Sequence, residues 1–489
     1  MTSKTGLFRS WTFTGTVLLV LLLVSGISMA QTHPAAAKTV PALLLSDVHF
    51  EPFTDPGKAA QLNAAPVSQW KAILEAPASV DQAERFATLQ QGCHAKGVDT
   101  SEALLQSSLR AMQSQAAGAK FITVSGDLIA HAFPCKYNAL FPHAAAGDYR
   151  AFVEKTLDYV QAELHRAFPG VALFVALGNN DSDCGDYQLD THSEFLATEG
   201  KTVSSEFPAL ERKAAEESFA AAGYYSVSLP APIHHARLLV LNDLFMARHY
   251  STCADKPDSS GSVEQLLWLE QQLALARKNQ EKVWVMSHIP PGVDLHGTGT
   301  KILGICEGKK PTEFLASDLL SDLLGNYSDV VQLAIFAHTH MDELRLLKPE
   351  APSPDQPGVA VKMVASISAV HGNNPSFTVA QVDAATAELR DYKVIAASNQ
   401  TGDHALWQEE YDFAKAYHVN AFSAASLDKL IHGFEADPSA KTEASQEYLH
   451  TVFTGGQIPL LNMFWPQYAC SLSHASASSY KACVCSNVQ

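Results

Sequence analysis

Residues that commonly bind divalent metals follow several short apolar segments of this sequence. They are Asp47, His49, Asp127, Asn179, His288, His338 and His340. The spacings Asp47-x-His49 and His338-x-His340 each let the backbone turn two side chains towards one centre. Carboxylate and imidazole ligands suit Zn²⁺, Mn²⁺ or Fe²⁺ better than Ca²⁺, and one Asp carboxylate can bridge two such ions. Two ions about 4 Å apart can hold the attacking and leaving oxygens of a phosphoryl displacement, so the pattern predicts this chemistry.

The apolar segments predict how these residues are brought together. Six segments of near-continuous apolar character occupy residues 41–45, 121–124, 171–177, 237–241, 282–286 and 330–336. Such segments are typical of strands buried on both faces. All but the fourth are followed directly by candidate ligands. Because ligands gather beyond the carboxyl ends of the strands in an open α/β sheet, we expect residues up to about 290 positions apart to converge there.

Helical patterns alternate with these predicted strands. Residues 101–112, 149–168 and 262–277 carry apolar side chains at three- and four-residue spacing, as helices packed on a sheet do. Segments at 358–364, 377–382 and 388–394 predict further strands. After residue 398 the pattern changes, and residues 407–417 and 445–454 are predicted to be helical. We therefore expect an α/β domain over residues 31–398 and a helical, cysteine-bearing C-terminal region over residues 399–489.

Composition and charge exclude two broad classes of protein. The chain has 489 residues, of which 47% are hydrophobic and 17% charged, so wholesale disorder is excluded. It has 34 Lys and Arg against 51 Asp and Glu, which gives a net charge of −17 without a basic segment. Binding to a nucleic-acid polymer is therefore not expected.

The first thirty residues have the pattern of an export signal. Lys4 and Arg9 precede the apolar residues 17–24, and Ser28 and Ala30 are the small residues that such signals place before their cleavage site. We expect cleavage after Ala30; an uncleaved N-terminal anchor is the alternative, although the apolar segment is short for a bilayer. No later segment has membrane length. The mature protein is therefore predicted to have no transmembrane helix, to be periplasmic or secreted, and to be a monomer.

The cysteines are predicted to form disulfides. All eight follow the predicted signal, and they are Cys93, Cys135, Cys184, Cys253, Cys306, Cys470, Cys483 and Cys485. Export would place them where disulfides persist. The Cys483-x-Cys485 spacing lacks the two-residue gap of a zinc-binding pair, so we interpret the cysteines as structural and not as metal ligands.

The order of the ligand motifs resembles a known family. The motifs Asp47-x-His49, Gly126-Asp127, Gly178-Asn179, His288 and His338-x-His340 are similar to those of the calcineurin-like binuclear metallophosphoesterases. The resemblance implies a four-layer α/β/β/α sandwich and two divalent ions, with zinc expected and manganese or iron as alternatives. It implies that Asp47, His49, Asp127 and His340 hold one ion. The other would be held by Asp127, Asn179, His288 and His338, so that Asp127 is the bridge.

Further motifs resemble acid sphingomyelinase and the sphingomyelinase-like phosphodiesterases. They are His131 four residues after the bridging Asp127, residues 287–292, residues 374–377, and the tail cysteines Cys470 and Cys483. This resemblance, which extends over residues 40–489, implies the disulfides Cys253–Cys306 and Cys470–Cys483, and we pair Cys93 with either Cys135 or Cys184. We expect no saposin-like domain of the kind that precedes the catalytic domain of acid sphingomyelinase, because the first ligand motif follows closely after the predicted cleavage site. His371 is a further candidate for lining the substrate pocket, although a solvated loop histidine is the simpler interpretation.

One position departs from the family pattern. The usual Gly-Asn-His motif is Gly178-Asn179-Asn180 here, so an amide replaces the imidazole that contacts phosphate and assists the leaving group. An amide can donate a hydrogen bond but cannot act as a general acid near neutral pH. His131 is then the motif residue left for protonating the leaving oxygen. Asn180 is predicted either to contact substrate or to satisfy a tight turn.

These observations predict an exported phosphodiesterase. The resemblance implies attack of a metal-bridging hydroxide on a phosphodiester or diphosphate ester, such as a sphingomyelin-like phospholipid, a nucleotide or a CDP-alcohol. One alternative is a phosphomonoesterase of the acid phosphatase or 5′-nucleotidase type. Within that type, the purple acid phosphatases are disfavoured because Ala130 stands where they need a Tyr ligand. The other alternative is a metal-bearing binding protein without catalysis.

Overall fold

Short apolar strands alternate with helices along the chain. The computed structural model describes Gly6, Ser10 and residues 38–145, 147–349, 358–456 and 458–486. Its strands are β1 (Thr39–Leu45), β2 (Phe121–Ser125), β3 (Ala172–Ala176), β4 (Tyr225–Ser228), β5 (Ala236–Val240), β6 (Lys282–Met286), β7 (Val293–Asp294), β8 (Thr312–Glu313), β9 (Val331–Phe336), β10 (Leu344–Leu347), β11 (Val359–Met363), β12 (Ser376–Asp383), β13 (Leu389–Ala397) and β14 (Trp407–Asp412).

The helices lie between and after these strands. They are α1 (Ala59–Ala64), α2 (Trp70–Leu74), α3 (Gln82–Gly92), α4 (Glu102–Gln115), α5 (Phe133–Leu140), α6 (Asp148–Ala167), α7 (Glu194–Ser204), α8 (Ala209–Ala222), α9 (Ser260–Asn279), α10 (Leu295–Thr298), α11 (Leu319–Asn326), α12 (Phe413–Tyr417), α13 (Ala424–Glu435), α14 (Glu443–Thr451), α15 (Pro459–Met463), α16 (Trp465–Ser471) and α17 (Ala477–Ser486). Short 3-10 helices occupy Pro52–Thr54, Val67–Gln69, Asp243–Met246 and Gly299–Gly304. The predicted helices near residues 101–112, 149–168 and 262–277 are confirmed as α4, α6 and α9.

Two six-stranded sheets carry the candidate ligands at their strand ends. The first sheet has the order β14-β13-β12-β1-β2-β3, with β1, β2 and β3 parallel and the other pairs antiparallel. The second has the order β10-β11-β9-β6-β5-β4, with β5, β6, β9 and β11 parallel. A separate two-stranded sheet pairs β7 with β8. The parallel strands β1, β2 and β3 form one side of the first sheet, and the four parallel strands of the second sheet are its central ones. The carboxyl ends of β1, β2, β3, β6 and β9 lead into the ligand-bearing loops.

The two sheets pack face to face through aromatic side chains. Phe121 of β2 meets Trp284 of β6 at a ring-centroid distance of 5.7 Å. The phenol of Tyr225, on β4, donates to the carbonyl oxygen of Val175 on β3 and accepts from its N–H, at 3.1 and 3.0 Å. Helices α4 and α7 contact strands of the first sheet, and α9, α11 and α13 contact strands of the second. The predicted four-layer α/β/β/α architecture is confirmed.

The start of the C-terminal region differs from its prediction. Residues 407–412 form strand β14, which pairs antiparallel with β13, whereas a helix was predicted over 407–417. The prediction was misled because Trp407 and Tyr411 have helical spacing. In the strand, the Trp407 indole donates to the Ser107 hydroxyl at 3.0 Å, and the Tyr411 phenol donates to Asp342. The region after residue 398 therefore first completes a sheet, and helices α12 to α17 follow.

Four disulfides connect the eight cysteines, and one expected pairing is wrong. The pairs are Cys93–Cys135, Cys184–Cys253, Cys306–Cys485 and Cys470–Cys483. Cys253 does not pair with Cys306, because the loop after β3 lies along the 249–253 segment, with Ser251 N–H bonded to the Tyr187 carbonyl. Cys306 instead meets helix α17. The expected Cys470–Cys483 pair is present, and Cys93 pairs with Cys135, one of its two expected partners.

The predicted export signal, residues 1–30, lies outside the described residues apart from Gly6 and Ser10. Among the helices that are described, none is both long and apolar enough to cross a membrane. The residues from Lys38 onwards form one compact unit.

Candidate metal centre

The candidate ligands sit on sharp turns directly after the strands. Asp47 and His49 after β1, Asp127 after β2, and His338 and His340 after β9 all adopt positive φ angles between 43° and 71°. Such angles cost free energy for residues other than glycine, and they cluster at functional sites. These turns aim the side chains of successive loops at one region.

A glycine allows two of these loops to come close together. Gly126, with φ +97°, precedes Asp127, and a Cβ at this position would lie 2.7 Å from Nδ1 of His288 and 2.8 Å from the Gly178 nitrogen. Any larger residue would push the loops apart. The Gly126-Asp127 motif is thus a packing requirement as well as a source of a ligand.

Asp47, His49, Asp127 and His340 form the first group. Nδ1 of His49 donates to the Ile129 carbonyl at 2.9 Å, which leaves Nε2 as the nitrogen that faces the site. That Nε2 lies 3.5 Å from Oδ2 of Asp127, 3.7 Å from Oδ1 of Asp47 and 3.2 Å from Nε2 of His340. All four side chains are buried.

Asp127, Asn179, His288 and His338 form the second group. Nδ1 of His288 donates to the Ser125 carbonyl at 2.8 Å, so its Nε2 also faces inwards. This nitrogen lies 3.3 Å from Oδ2 of Asp127 and 3.1 Å from Oδ1 of Asn179. Potential ligand atoms of His338, His288 and Asp127 lie within 4.8 Å of one another. Asp127 thus belongs to both groups, as a bridging ligand would.

The chemistry of the pocket fits cations. Neither carboxylate oxygen of Asp47 accepts a hydrogen bond from any described residue, although the side chain is fully buried. A buried carboxylate without donors is costly unless it meets positive charge. The surrounding imidazoles and carboxylates are the donor types that divalent transition metals prefer.

The pKa directions differ among the candidate imidazole ligands. Burial lowers the pKa of His49, but the carboxylates around it, Asp127 first among them, together outweigh burial and raise the pKa to about 9. The same balance raises the pKa of His288 to about 10. Burial and the charge of His288 lower the pKa of His338 to about 4. Metal ions would displace the protons held at such imidazoles.

Asn179 and Asn180 have different neighbours. The Asn179 amide donates from Nδ2 to Asp186 at 2.8 Å, which turns its oxygen towards His288. The Asn180 backbone N–H and side-chain Nδ2 donate to the two oxygens of Asp127, at 2.8 and 2.9 Å. Asn180 therefore contacts the shared carboxylate and is only 7% exposed.

Asp181, the last residue of the motif Gly178-Asn179-Asn180-Asp181, connects the loops after β2 and β3. Its carboxylate accepts hydrogen bonds from the backbone N–H groups of Leu128, Ile129 and Gly178 at 2.8 to 3.1 Å. Burial, followed by the charge of Asp127, raises the pKa of Asp181 to about 6. The sequence signal for this residue is a carboxylate two positions after the candidate ligand Asn179.

His131 lies at the edge of the first group. Its ring stacks on that of His49 at a centroid distance of 3.9 Å, and Nδ1 lies 3.0 Å from Oδ1 of Asp99. Asp99 is buried and also accepts a hydrogen bond from the Ser368 hydroxyl at 2.9 Å. Sequence reasoning missed Asp99 and Ser368, because neither follows a predicted ligand-bearing strand.

His371 and Tyr187 lie on the rim. The exposed His371 ring is 4.5 Å from that of His340 and 6.2 Å from that of His131. The Tyr187 phenol lies 3.1 Å from Nε2 of His338. Tyr187 was not predicted, and the sequence around it carries no strand or motif signal.

The structure thus brings all seven candidate ligands together, with His131, Asn180 and His371 beside them. Their roles as ligands and as catalytic or substrate-binding groups stay predictions. The predicted disulfide cysteines Cys306, Cys470 and Cys483 lie elsewhere, around α16, α17 and the loop before β8.

Comparisons with known proteins identify the family to which the chain is similar. The family model described as calcineurin-like phosphoesterase matches residues 40–342. A sphingomyelinase phosphodiesterase D of Dictyostelium discoideum is 25% identical over 368 residues, covering 72% of this chain and 73% of its own. An acid sphingomyelinase-like phosphodiesterase 3b of Mus musculus is 22% identical over 400 residues, covering 79% and 80%. A cyclic GMP-AMP phosphodiesterase of Bos taurus is 24% identical over 287 residues, covering 57% and 60%.

Proposed function

Because the chain belongs to the calcineurin-like phosphoesterase family, whose model covers residues 40–342, we propose that it is an exported phosphodiesterase whose binuclear metal centre is built around Asp127. One observation carries this proposal: two groups of buried ligands meet at a single carboxylate. The relatives reported above are named phosphodiesterases, which favours diester hydrolysis over monoester hydrolysis.

The substrate is a phosphodiester or a diphosphate ester. Two relatives are named for sphingomyelinase chemistry and a third for cyclic GMP-AMP. A sphingomyelin-like phospholipid and a nucleotide or CDP-alcohol are therefore the two candidates to compare. The net charge of −17 gives no general attraction for a polymeric phosphate backbone.

The two ligand groups would hold the metal ions. Asp47, His49 and His340 would complete one site, and Asn179, His288 and His338 the other, with Asp127 shared. Bound there, two divalent ions supply positive charge to the phosphate oxygens and lower the pKa of attacking water. Four imidazoles among seven ligands favour zinc, with manganese and iron as alternatives.

His131 is the residue that we propose gives a proton to the leaving oxygen. Asp99 holds its Nδ1, so Nε2 is the nitrogen left to face a substrate. The ring is 32% exposed and stacked on His49, which places it at the mouth of the centre. A carboxylate that fixes one ring nitrogen in this way sets the orientation of a catalytic imidazole.

Asn180 does not take over the proton transfer. Its backbone N–H and its side-chain amide both donate to Asp127, and an amide is not a general acid near neutral pH. We propose that Asn180 instead orients the bridging carboxylate. His371 is a substrate-contact candidate on the rim, beside His340.

The disulfides support the proposed export. Four pairs use all eight cysteines of the chain, and such pairing persists in oxidising compartments. We therefore propose a periplasmic or secreted protein that acts as a monomer after cleavage at Ala30.

The test compares three substrates with one preparation. Metal-loaded protein lacking residues 1–30 is given sphingomyelin, CDP-choline and phosphocholine, before and after chelation, and the release of phosphocholine or phosphate is measured. We expect sphingomyelin or CDP-choline, or both, to be cleaved, and this cleavage to be abolished by the chelator. Asp127→Asn should lose the cleavage, whereas the surface control Asp255→Asn should keep it. Phosphate release from phosphocholine alone would show a monoesterase. No turnover of any of the three substrates by the metal-loaded protein would favour the alternative of a binding protein.

A further inference from the structure

The phenol of Tyr187 lies beside the second ligand group. Its oxygen is 3.1 Å from Nε2 of His338, and the two rings meet edge to face at a centroid distance of 6.2 Å. His338 shares a candidate metal group with Asp127 and His288. Tyr187 is thus a polar group of the centre that lies outside all the ligand motifs.

The backbone holds Tyr187 firmly in this place. The residue has a φ of +57°, a conformation that is unfavourable for a side chain with a Cβ. Its N–H donates to the Asn179 carbonyl at 3.0 Å, and its carbonyl accepts from the Ser251 N–H at 3.1 Å. The Cys184–Cys253 disulfide joins the same two segments. The hydrogen bonds of its N–H and its carbonyl, together with the disulfide, hold Tyr187 in this strained backbone conformation. Strain that is held in place in this way points to a functional position.

Tyr187 lies in a partly exposed part of the site. Its ring packs edge to face on that of the exposed His249, with centroids 5.7 Å apart, and the residue is half-buried. The Asn180 amide, by contrast, is directed at the Asp127 carboxylate. Tyr187 therefore supplies a further neutral donor next to the second ligand group.

We propose that Tyr187 is a substrate-binding residue whose hydroxyl donates a hydrogen bond to a phosphate oxygen of the bound phosphoester. This inference rests on the proposed function. Ions held by the second ligand group would attract an anionic phosphate oxygen to this position, where the Tyr187 hydroxyl could donate to it. Hydrogen bonds to an anionic phosphate oxygen are among the strongest available to a neutral donor.

The test uses Tyr187→Phe, which removes only the hydroxyl. Tyr250→Phe is the matched control, because that phenol donates to the Leu189 carbonyl at 3.0 Å on the same pair of segments. Binding of inorganic phosphate to the metal-loaded proteins is measured by calorimetry, and hydrolysis of bis(p-nitrophenyl) phosphate by absorbance. Metal content and the melting temperature of each variant are recorded in parallel.

We expect Tyr187→Phe to weaken phosphate binding and to lower kcat/KM by about tenfold to a hundredfold, with metal content unchanged. Tyr250→Phe should match the wild type in both. The inference would be overturned if Tyr187→Phe bound phosphate as tightly as the wild-type protein does. It would also be overturned if Tyr187→Phe lost metal, because Tyr187 would then be a metal ligand. Absence of phosphate binding by the wild-type protein would overturn it as well. If the wild-type protein binds phosphate but hydrolyses no diester, the proposed function fails. The role of the Tyr187 phenol is then decided by the phosphate-binding measurement only, through the comparison of Tyr187→Phe with the wild-type protein.

Discussion

Nδ1 of His131 lies 3.0 Å from Oδ1 of Asp99, a buried carboxylate that comes 32 positions earlier in the chain. The Asp99 carboxylate also accepts hydrogen bonds from the His131 backbone N–H and the Ser368 hydroxyl, both at 2.9 Å. Because three donors fix Asp99, the His131 ring has one orientation against His49. The pair provides an imidazole with a fixed orientation beside the metal centre.

Asp99→Asn should separate orientation from metal binding. The amide keeps the size of the side chain but removes the charge opposite His131. We expect kcat to fall by about tenfold to a hundredfold and the pH–rate profile to change, while metal content stays at the wild-type level. Steady-state kinetics across pH and elemental analysis measure these effects.

Asp81→Asn, in the exposed loop before α3, is the matched control for Asp99→Asn. A variant at Asp99 with the wild-type kcat and pH profile would show that the carboxylate has only a structural role.

Asn180→Ala should weaken metal binding. The substitution removes the side-chain donor on Oδ2 of Asp127 but keeps the backbone donor on Oδ1. Groups that orient a metal ligand typically contribute tenfold to a hundredfold to metal affinity. Competition with a chromophoric chelator should therefore show that the metal affinity of Asn180→Ala is lower than that of the wild-type protein by about tenfold to a hundredfold. Equal affinities for wild type and variant would assign Asn180 to the turn alone.

Removing the Cys184–Cys253 disulfide should affect activity as well as stability. The bridge closes a segment of 69 residues and ties the Tyr187 loop to residues 249–253. A double Ala variant should be less stable by about 2–4 kcal/mol, and its kcat/KM should fall because Tyr187 is less well held. Denaturant unfolding and diester kinetics at a temperature where the variant is folded measure the two effects.

The control for that variant is the double Ala substitution of Cys470 and Cys483, which are joined within the C-terminal helices. It should lose stability but keep the kcat/KM of the wild-type protein. Equal losses of activity in the two variants would contradict a specific role for the Tyr187 loop.

Glu102 should make the stability of the fold depend on pH. Burial raises the pKa of Glu102 to about 7, although Tyr159 donates a hydrogen bond to it at 2.9 Å. A raised pKa in the folded state means that the contribution to stability is complete below the unfolded pKa near 4.5 and is lost as pH rises through 7. The loss can reach about 3 kcal/mol.

Glu102→Gln should therefore lose less stability than the wild type between pH 5 and pH 8, as measured by urea unfolding. Glu84→Gln, at an exposed position of α3, should follow the wild-type curve. Parallel curves for wild type and Glu102→Gln would show that Glu102 titrates normally.

The sequence allowed the strand-end ligands to be predicted for a physical reason. A strand buried on both faces is a continuous apolar segment, and the residues that follow it must lie at the sheet edge. Asp47, Asp127 and His288 all follow that rule. The family resemblance then assigned them to two sites that share Asp127.

The residues that escaped prediction reach the site through contacts between distant segments. Asp99 is brought in because Thr100 pairs with the backbone of His49, and Tyr187 because its loop is bonded to Ser251. Neither position carries a local pattern of apolar spacing. The Cys253–Cys306 error has the same cause, since which cysteines meet depends on how loops from different strands lie beside each other.

The position of β1 determines when the metal centre can exist. Strand β1, which carries Asp47 and His49 at its end, lies between β2 and β12 in the first sheet. After β1 has been synthesised, more than three hundred further residues must be made before β12 is available to pair with it. His340 and His338 also arrive late. Ions could therefore be held by both ligand groups together only after residue 340 has been made, and the metals available at that stage would influence which ones are bound.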